Sequence, residues 1–237
     1  MPEAVGGAAA DGTGIFFNCP FDDKYQPIFD ALVFAAFDCG YVPRCALEVD
    51  DAGQVRLEKI LAIIRDCRLG VHDISRTELD PINGLPRFNM PLELGIFIGA
   101  ARFGTGEQKK KVCLVLDRER YRFQKFISDI AGQDIREHGD DPERAIHALR
   151  SWLAPQPRDG LLPGATAIAS RYRAFRQDLP QILAEIGLEA GEMTFSDYAN
   201  IVSAWLSERP RTSRPAPASS RGSRGVGRTR RAAKTQR

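Results

Sequence analysis

Short apolar runs alternate with stretches of helical period along most of this chain. Gly14-Ile15-Phe16-Phe17-Asn18-Cys19, closed by Pro20 and two acids, predicts a strand. Residues 25–38 carry Ile28, Phe29, Leu32, Val33, Ala36 and Phe37 at helical spacing; Asp22 or Asp23 can cap that helix and Gly40 can end it. Residues 41–49 predict a second strand and 50–53 a turn. Residues 55–67 predict an amphipathic helix with Leu57, Ile60, Leu61, Ile63 and Ile64 inward. Residues 69–74 are short and apolar, as a central parallel strand should be. Residues 75–90, with two prolines and Asn83-Gly84, predict a loop long enough to be functional or mobile.

The third helix is predicted over residues 91–103, with Pro91 suited to its first position. It has almost no polar face, so burial nearly all round is expected, with Gly95 and Gly99 forming a flat strip against the sheet. Residues 109–116 predict a fourth strand, and a fifth short one is expected near Asp134-Ile135. A helix follows over 142–153, then a Pro/Gly-rich linker over 154–164. Two last helices, 166–186 and 195–207, could form a cap or pack against the sheet. The expected organisation is a disordered leader (1–12), an α/β domain (13–153), a linker with C-terminal helices (154–207) and a disordered basic tail (208–237). The alternation predicts an α/β fold: a doubly wound, flavodoxin-like parallel sheet of about five strands in the order 2-1-3-4-5.

Composition sharpens this in three places. The 237 residues are 43% hydrophobic, enough for one medium domain with a real core. The net charge of +2 conceals an asymmetry, since no acid follows Glu208 while Arg and Lys recur to the end. The tail could therefore make weak, unspecific contact with nucleic acid, although it has no aromatic residue for base stacking. The five cysteines are scattered and form no CxxC pair, which argues against a disulfide framework and against a zinc site; no metal is expected. Free buried thiols suit a reducing cytoplasm. No apolar run is long enough to span a bilayer, so no membrane partner is expected.

In the predicted topology, ligands sit outside the carboxyl ends of the strands, where the first and third strands diverge. Three segments meet there: Asn18 to Asp23, Asp73 to Arg76, and the start of the third helix. Glu93 is placed at the third position of that helix, where free N–H groups and the macrodipole favour an ionised carboxylate. Such an anion can stabilise an oxocarbenium-like sugar cation or attack its anomeric carbon, but it could equally be an ordinary first-turn acid. Asp73 could hold ribose hydroxyls or a base edge, or cap the next turn through an Asx-turn. Ser75 could bind a hydroxyl or phosphate, and Arg76 and Arg87 a phosphate, or both arginines could be solvated loop charges. Asn18 could bond a base or ribose. Phe21 could stack on a ring or close the core. His72, inside an apolar strand, reads as a core residue. No Walker A or GxGxxG motif and no serine nucleophile elbow is present.

The stretch Asp73-Ile74-Ser75, a loop, then Pro91-Leu92-Glu93-Leu94-Gly95 resembles the nucleoside 2-deoxyribosyltransferase-like superfamily, related in fold to TIR domains. The resemblance covers roughly residues 14–116. It implies that Glu93 is the catalytic residue, with Asp73 and Ser75 at the sugar. It implies N-glycosidic bond cleavage in a nucleotide such as NAD, which would be substrate or ligand and not a resident cofactor. It also implies assembly into homo-oligomers and a role as an effector of bacterial antiviral defence. The alternative on the same fold is a non-catalytic module that senses a nucleotide or binds a partner protein.

Overall fold

The computed structural model describes residues 12–48, 51, 53–79, 84–158 and 160–209. The expected leader before Gly12 and the expected basic tail from Pro210 lie outside the described residues. The elements in chain order are β1 (Gly14–Asn18), α1 (Gln26–Asp38), β2 (Val42–Arg44), α2 (Arg56–Asp66), β3 (Leu69–Asp73), α3 (Asn89–Phe103), β4 (Val112–Asp117), β5 (Arg136–Glu137), α4 (Pro142–Leu153), α5 (Ala165–Ile186) and α6 (Phe195–Glu208). The strands form one five-stranded sheet, parallel throughout, in the order β2-β1-β3-β4-β5. This is the flavodoxin-like α/β arrangement that the alternation of apolar runs predicts. No helix among the described residues is long and apolar enough to cross a membrane.

Strand alternation sorts the chemistry onto two faces. Ile15, Phe17, Leu69, Val71 and Leu116 belong to the large core shared with α1 and α4. Phe16 packs on the other face with Ile60, Ile63 and Ile64 of α2 and Phe97 of α3. β2 stops after Arg44, well short of the expected 41–49. Arg44 Nε donates to Glu48 Oε2 at 2.7 Å and the Glu48 N–H to the Cys45 carbonyl at 3.1 Å, which turns the chain away from the sheet. Pro43 lacks an N–H and is tolerated because β2 is an edge strand.

The helix buried all round is α1 and not α3. Every residue from Ile28 to Ala36 is buried. The cause is an outer layer: α5 and α6 pack over α1 and α4 as part of the same core. Phe34 of α1 lies 5.4 Å from Phe175, 5.5 Å from Tyr172 and 5.9 Å from Trp205, ring centre to ring centre. On α3 only Glu93, Leu94 and Phe97 are buried, and Phe103 is 90% exposed. The expected strip at Gly95 and Gly99 is likewise not a contact, since a Cβ at either would meet nothing within 4 Å. The close approach of α3 to the sheet occurs at Gly70 of β3, where a Cβ would lie 2.8 Å from the Phe97 ring.

Candidate functional site at the carboxyl edge of the sheet

Asn18 ends β1 and points to the α3 face. Its Nδ2 donates to the Met90 carbonyl at 2.8 Å and lies 3.1 Å from His72 Nδ1. The carbonyl can only accept, so it fixes the amide orientation, and His72 Nδ1 must then accept as well. Burial pulls the His72 imidazole down to about 3, so it is neutral at working pH. It packs edge-on against Phe16 at 5.7 Å and Phe97 at 4.9 Å, which is the core role read from the sequence. Asn18 is thus a tie between β1 and the start of α3; its Oδ1 is buried with no partner.

α3 begins at Asn89, two residues earlier than expected, so its first turn contains no acid and Glu93 is its fifth residue. That removes the macrodipole argument for Glu93, because the effect fades after the first turn. Glu93 lies on the inner side of α3, three residues past Met90 and four before Phe97, and is 8% exposed. It makes no hydrogen bond to a described residue. Burial pushes its carboxyl up from 4.5 to about 7, against a smaller downward pull from Arg56 at the start of α2. The expectation of a carboxylate held firmly ionised is therefore overturned: at neutral pH both forms are populated.

Asp73 lies on the opposite face of the sheet from Glu93. It is fully buried and its oxygens are committed. Oδ1 accepts the Ser75 N–H at 2.8 Å, the Asx-turn that was one of its two readings. Oδ2 accepts the Tyr25 hydroxyl at 2.7 Å and lies 3.1 Å from His138 Nε2. His138 Nδ1 accepts the Asp140 N–H at 3.1 Å, which leaves the ring proton on Nε2, facing Asp73. Tyr25 thus ties Asp73 to the start of α1, while His138, after β5, stands beside it with its Nε2 buried and without a hydrogen bond. Ser75 is fully buried and its Oγ has no partner. Phe21 packs edge-on against Phe29 at 5.3 Å, within the α1 core.

Of the expected binding residues, the two arginines, Arg76 and Arg87, reach an open cavity. Among the described residues, this cleft of about 600 Å³ is lined by charged side chains from the loops after β1, β3 and β4, with Leu79 the only apolar one. Its cations are Lys24, Arg76, Arg87 and Arg118; its acids are Asp22, Asp23 and Glu78. Glu93, Asp73 and Asn18 do not line it. The sequence reading missed Arg122, which braces this edge. Its Nε donates to Asp117 Oδ1, Nη1 to Thr77 Oγ1 and Nη2 to the Ile74 carbonyl, each at 2.8 Å. It also missed His138. The available signal for Arg122 was Asp117, an acid ending the apolar strand β4; β5, Arg136–Glu137, is too short and too charged to have pointed to His138.

None of the five cysteines is in a disulfide, and burial pushes Cys45 and Cys67 up to about 12, so neither is a thiolate at neutral pH. A doubly wound α/β protein with a charged cleft at its switch point and a poised carboxyl on the opposite face from Asp73 is the class these observations define. No family model, curated protein or solved structure matches the chain.

Proposed function

We propose that the protein binds a nucleotide across the carboxyl edge of its sheet and cleaves the N-glycosidic bond, with NAD the favoured substrate and Glu93 the catalytic group. The observation that carries this is Glu93 itself. A nearly buried carboxyl without a hydrogen-bond partner is costly to keep, and such groups concentrate at functional sites. Its ionisation near neutrality makes the carboxylate available to stabilise an oxocarbenium-like ribose or to bond to the anomeric carbon. Nicotinamide leaves NAD as a neutral base without needing a proton, so one carboxylate suffices. The resemblance of Asp73-Ile74-Ser75 and the Glu93 helix to TIR-like enzymes supports the same reading. Asn18 fixes the entry of the Glu93 helix, and Asp73, held by the Tyr25 hydroxyl and the Ser75 N–H, fixes the start of the loop at Ser75.

One observation favours a second reading, a nucleotide sensor without turnover. The lining of the charged cleft does not include Glu93, and the Asp73 oxygens are occupied by the protein. Incubation of the full-length protein with NAD, over a range of protein concentrations that allows assembly, separates the two. Release of nicotinamide and ADP-ribose supports catalysis. Saturable NAD binding with no product at any protein concentration supports the sensor.

A further inference from the structure

We propose that the cleft formed by Lys24, Arg76, Arg87 and Arg118 is a phosphate subsite that takes the diphosphate of the bound nucleotide. The anion site rests on the cleft, while its assignment to a nucleotide rests on the proposed function.

The cations come from three separate loops, after β1, β3 and β4, and converge where β1 and β3 send their chains to opposite faces. Arg118 is already engaged by Glu78 and, at 3.2 Å, by Glu119. Arg76 is not. Its Nε stands 3.6 Å from Asp22 Oδ2 and its Nη2 4.0 Å from Asp140 Oδ1. A charge-assisted hydrogen bond is about 2.7–2.9 Å long, so neither is one. The Arg76 Nε is shut from solvent and has no hydrogen-bond partner. Lys24 and Arg87 make no hydrogen bond or ion pair to a described residue. The site therefore holds three cationic groups short of acceptors.

Four cations face three acids in the cleft, and two of the acids have other commitments. Asp22 Oδ1 accepts the Tyr25 N–H at 3.1 Å, which commits it to the turn before α1. Glu78 is committed to Arg118. Arg76 is also held in place before any ligand arrives, because Arg122 pins Ile74 and Thr77 on either side of it to Asp117 at the end of β4. Preorganised donors around a polar cavity of about 600 Å³ suit a tetrahedral oxyanion, and a guanidinium fork suits two of its oxygens.

Calorimetric titration of the full-length protein with inorganic pyrophosphate, ADP and adenosine tests this. Pyrophosphate and ADP should bind, and adenosine should bind at least about tenfold more weakly than ADP, with the ADP affinity falling as salt rises. Arg76→Gln should weaken ADP binding about tenfold or more, and Arg87→Gln several-fold. Arg87 is exposed and makes no hydrogen bond or ion pair to a described residue, so its variant keeps the test sound if Arg76→Gln fails to fold. Arg65→Gln, at the exposed end of α2, should change nothing. Equal affinity for ADP and adenosine, no binding of either phosphate ligand, or unchanged ADP binding in folded Arg76→Gln and Arg87→Gln would overturn the subsite. Arginine-dependent ADP binding without nicotinamide release from NAD leaves the subsite standing and removes the proposed reaction. Nicotinamide release from NAD and from nicotinamide riboside with equal KM, unmoved in Arg76→Gln, removes the subsite and leaves the reaction.

Discussion

Glu93 and Asp73 show how burial gives two carboxyl groups different work. Asp73 is fully buried yet accepts from a hydroxyl and a backbone N–H, with the His138 ring 3.1 Å away, so it is a structural acceptor. Glu93 is nearly buried and faces none. Its raised ionisation has a definite consequence for stability. The unfolded chain releases the proton near 4.5 and the folded one near 7, so the folded state holds more protons between those values. Stability is therefore lost as pH rises through that window, and the loss is complete above about 7. Glu93→Gln mimics the protonated form. Its midpoint of thermal unfolding should exceed that of the wild type at pH ~8, with the difference shrinking towards nothing near pH ~4. A difference that is constant across this range would show that Glu93 does not ionise as described. In catalysis the carboxylate is the active form, so kcat/KM for nicotinamide release should rise with pH and level off above about 7. A profile that falls over that range would assign the work to the acid form.

At the scale of elements, the apolar pattern located the helices and strands but not their neighbours. The 142–153 helix coincides with α4, and β1, β3 and α1 lie within a residue of expectation. The chain order of strands and helices was enough for the sheet order, because right-handed crossovers leave few alternatives. The burial of α1 and α3 was not legible in the same way. Both are apolar over most of their length, and only the outer layer of α5 and α6 decides which is enclosed. Glu93 stood out in the sequence as a carboxylate opening an apolar helix. Arg122 and His138 did not, because each acts through a partner far along the chain: Arg122 through Ile74 and Thr77, His138 through Asp73. Two glycine substitutions test the packing of α3. Gly70→Ala places a Cβ against Phe97 and should cost about 1–3 kcal/mol in chemical denaturation. Gly95→Ala meets open space inside a helix and should stabilise by roughly 0.5–1 kcal/mol. Equal effects of the two would contradict the placement of the helix.

For the whole molecule, the division at residue 153 read from the linker does not divide the core. Ile168, Phe175, Val202 and Trp205 belong to the same buried cluster as Phe17, Val71 and Leu149. A chain ending at Leu153 would expose Phe34, which is now fully buried, along with much of the outer face of α1. Such a truncation should lose cooperative thermal unfolding and bind a hydrophobic dye strongly; a sharp transition like that of the full chain would show that α5 and α6 are an appendage. This layer also encloses the helix whose entry turn carries Asp22, Lys24 and Tyr25, so the outer helices support the edge where the nucleotide is proposed to sit. The central claim is that Glu93 acts on the glycosidic bond. The direct measurement is the initial rate of nicotinamide release from NAD by the full-length protein and by Glu93→Gln at matched, assembly-competent concentrations. The wild type should turn over NAD and the variant should lose at least about a hundredfold in rate with NAD binding retained; equal rates, or no release by either, would rule out this role for Glu93.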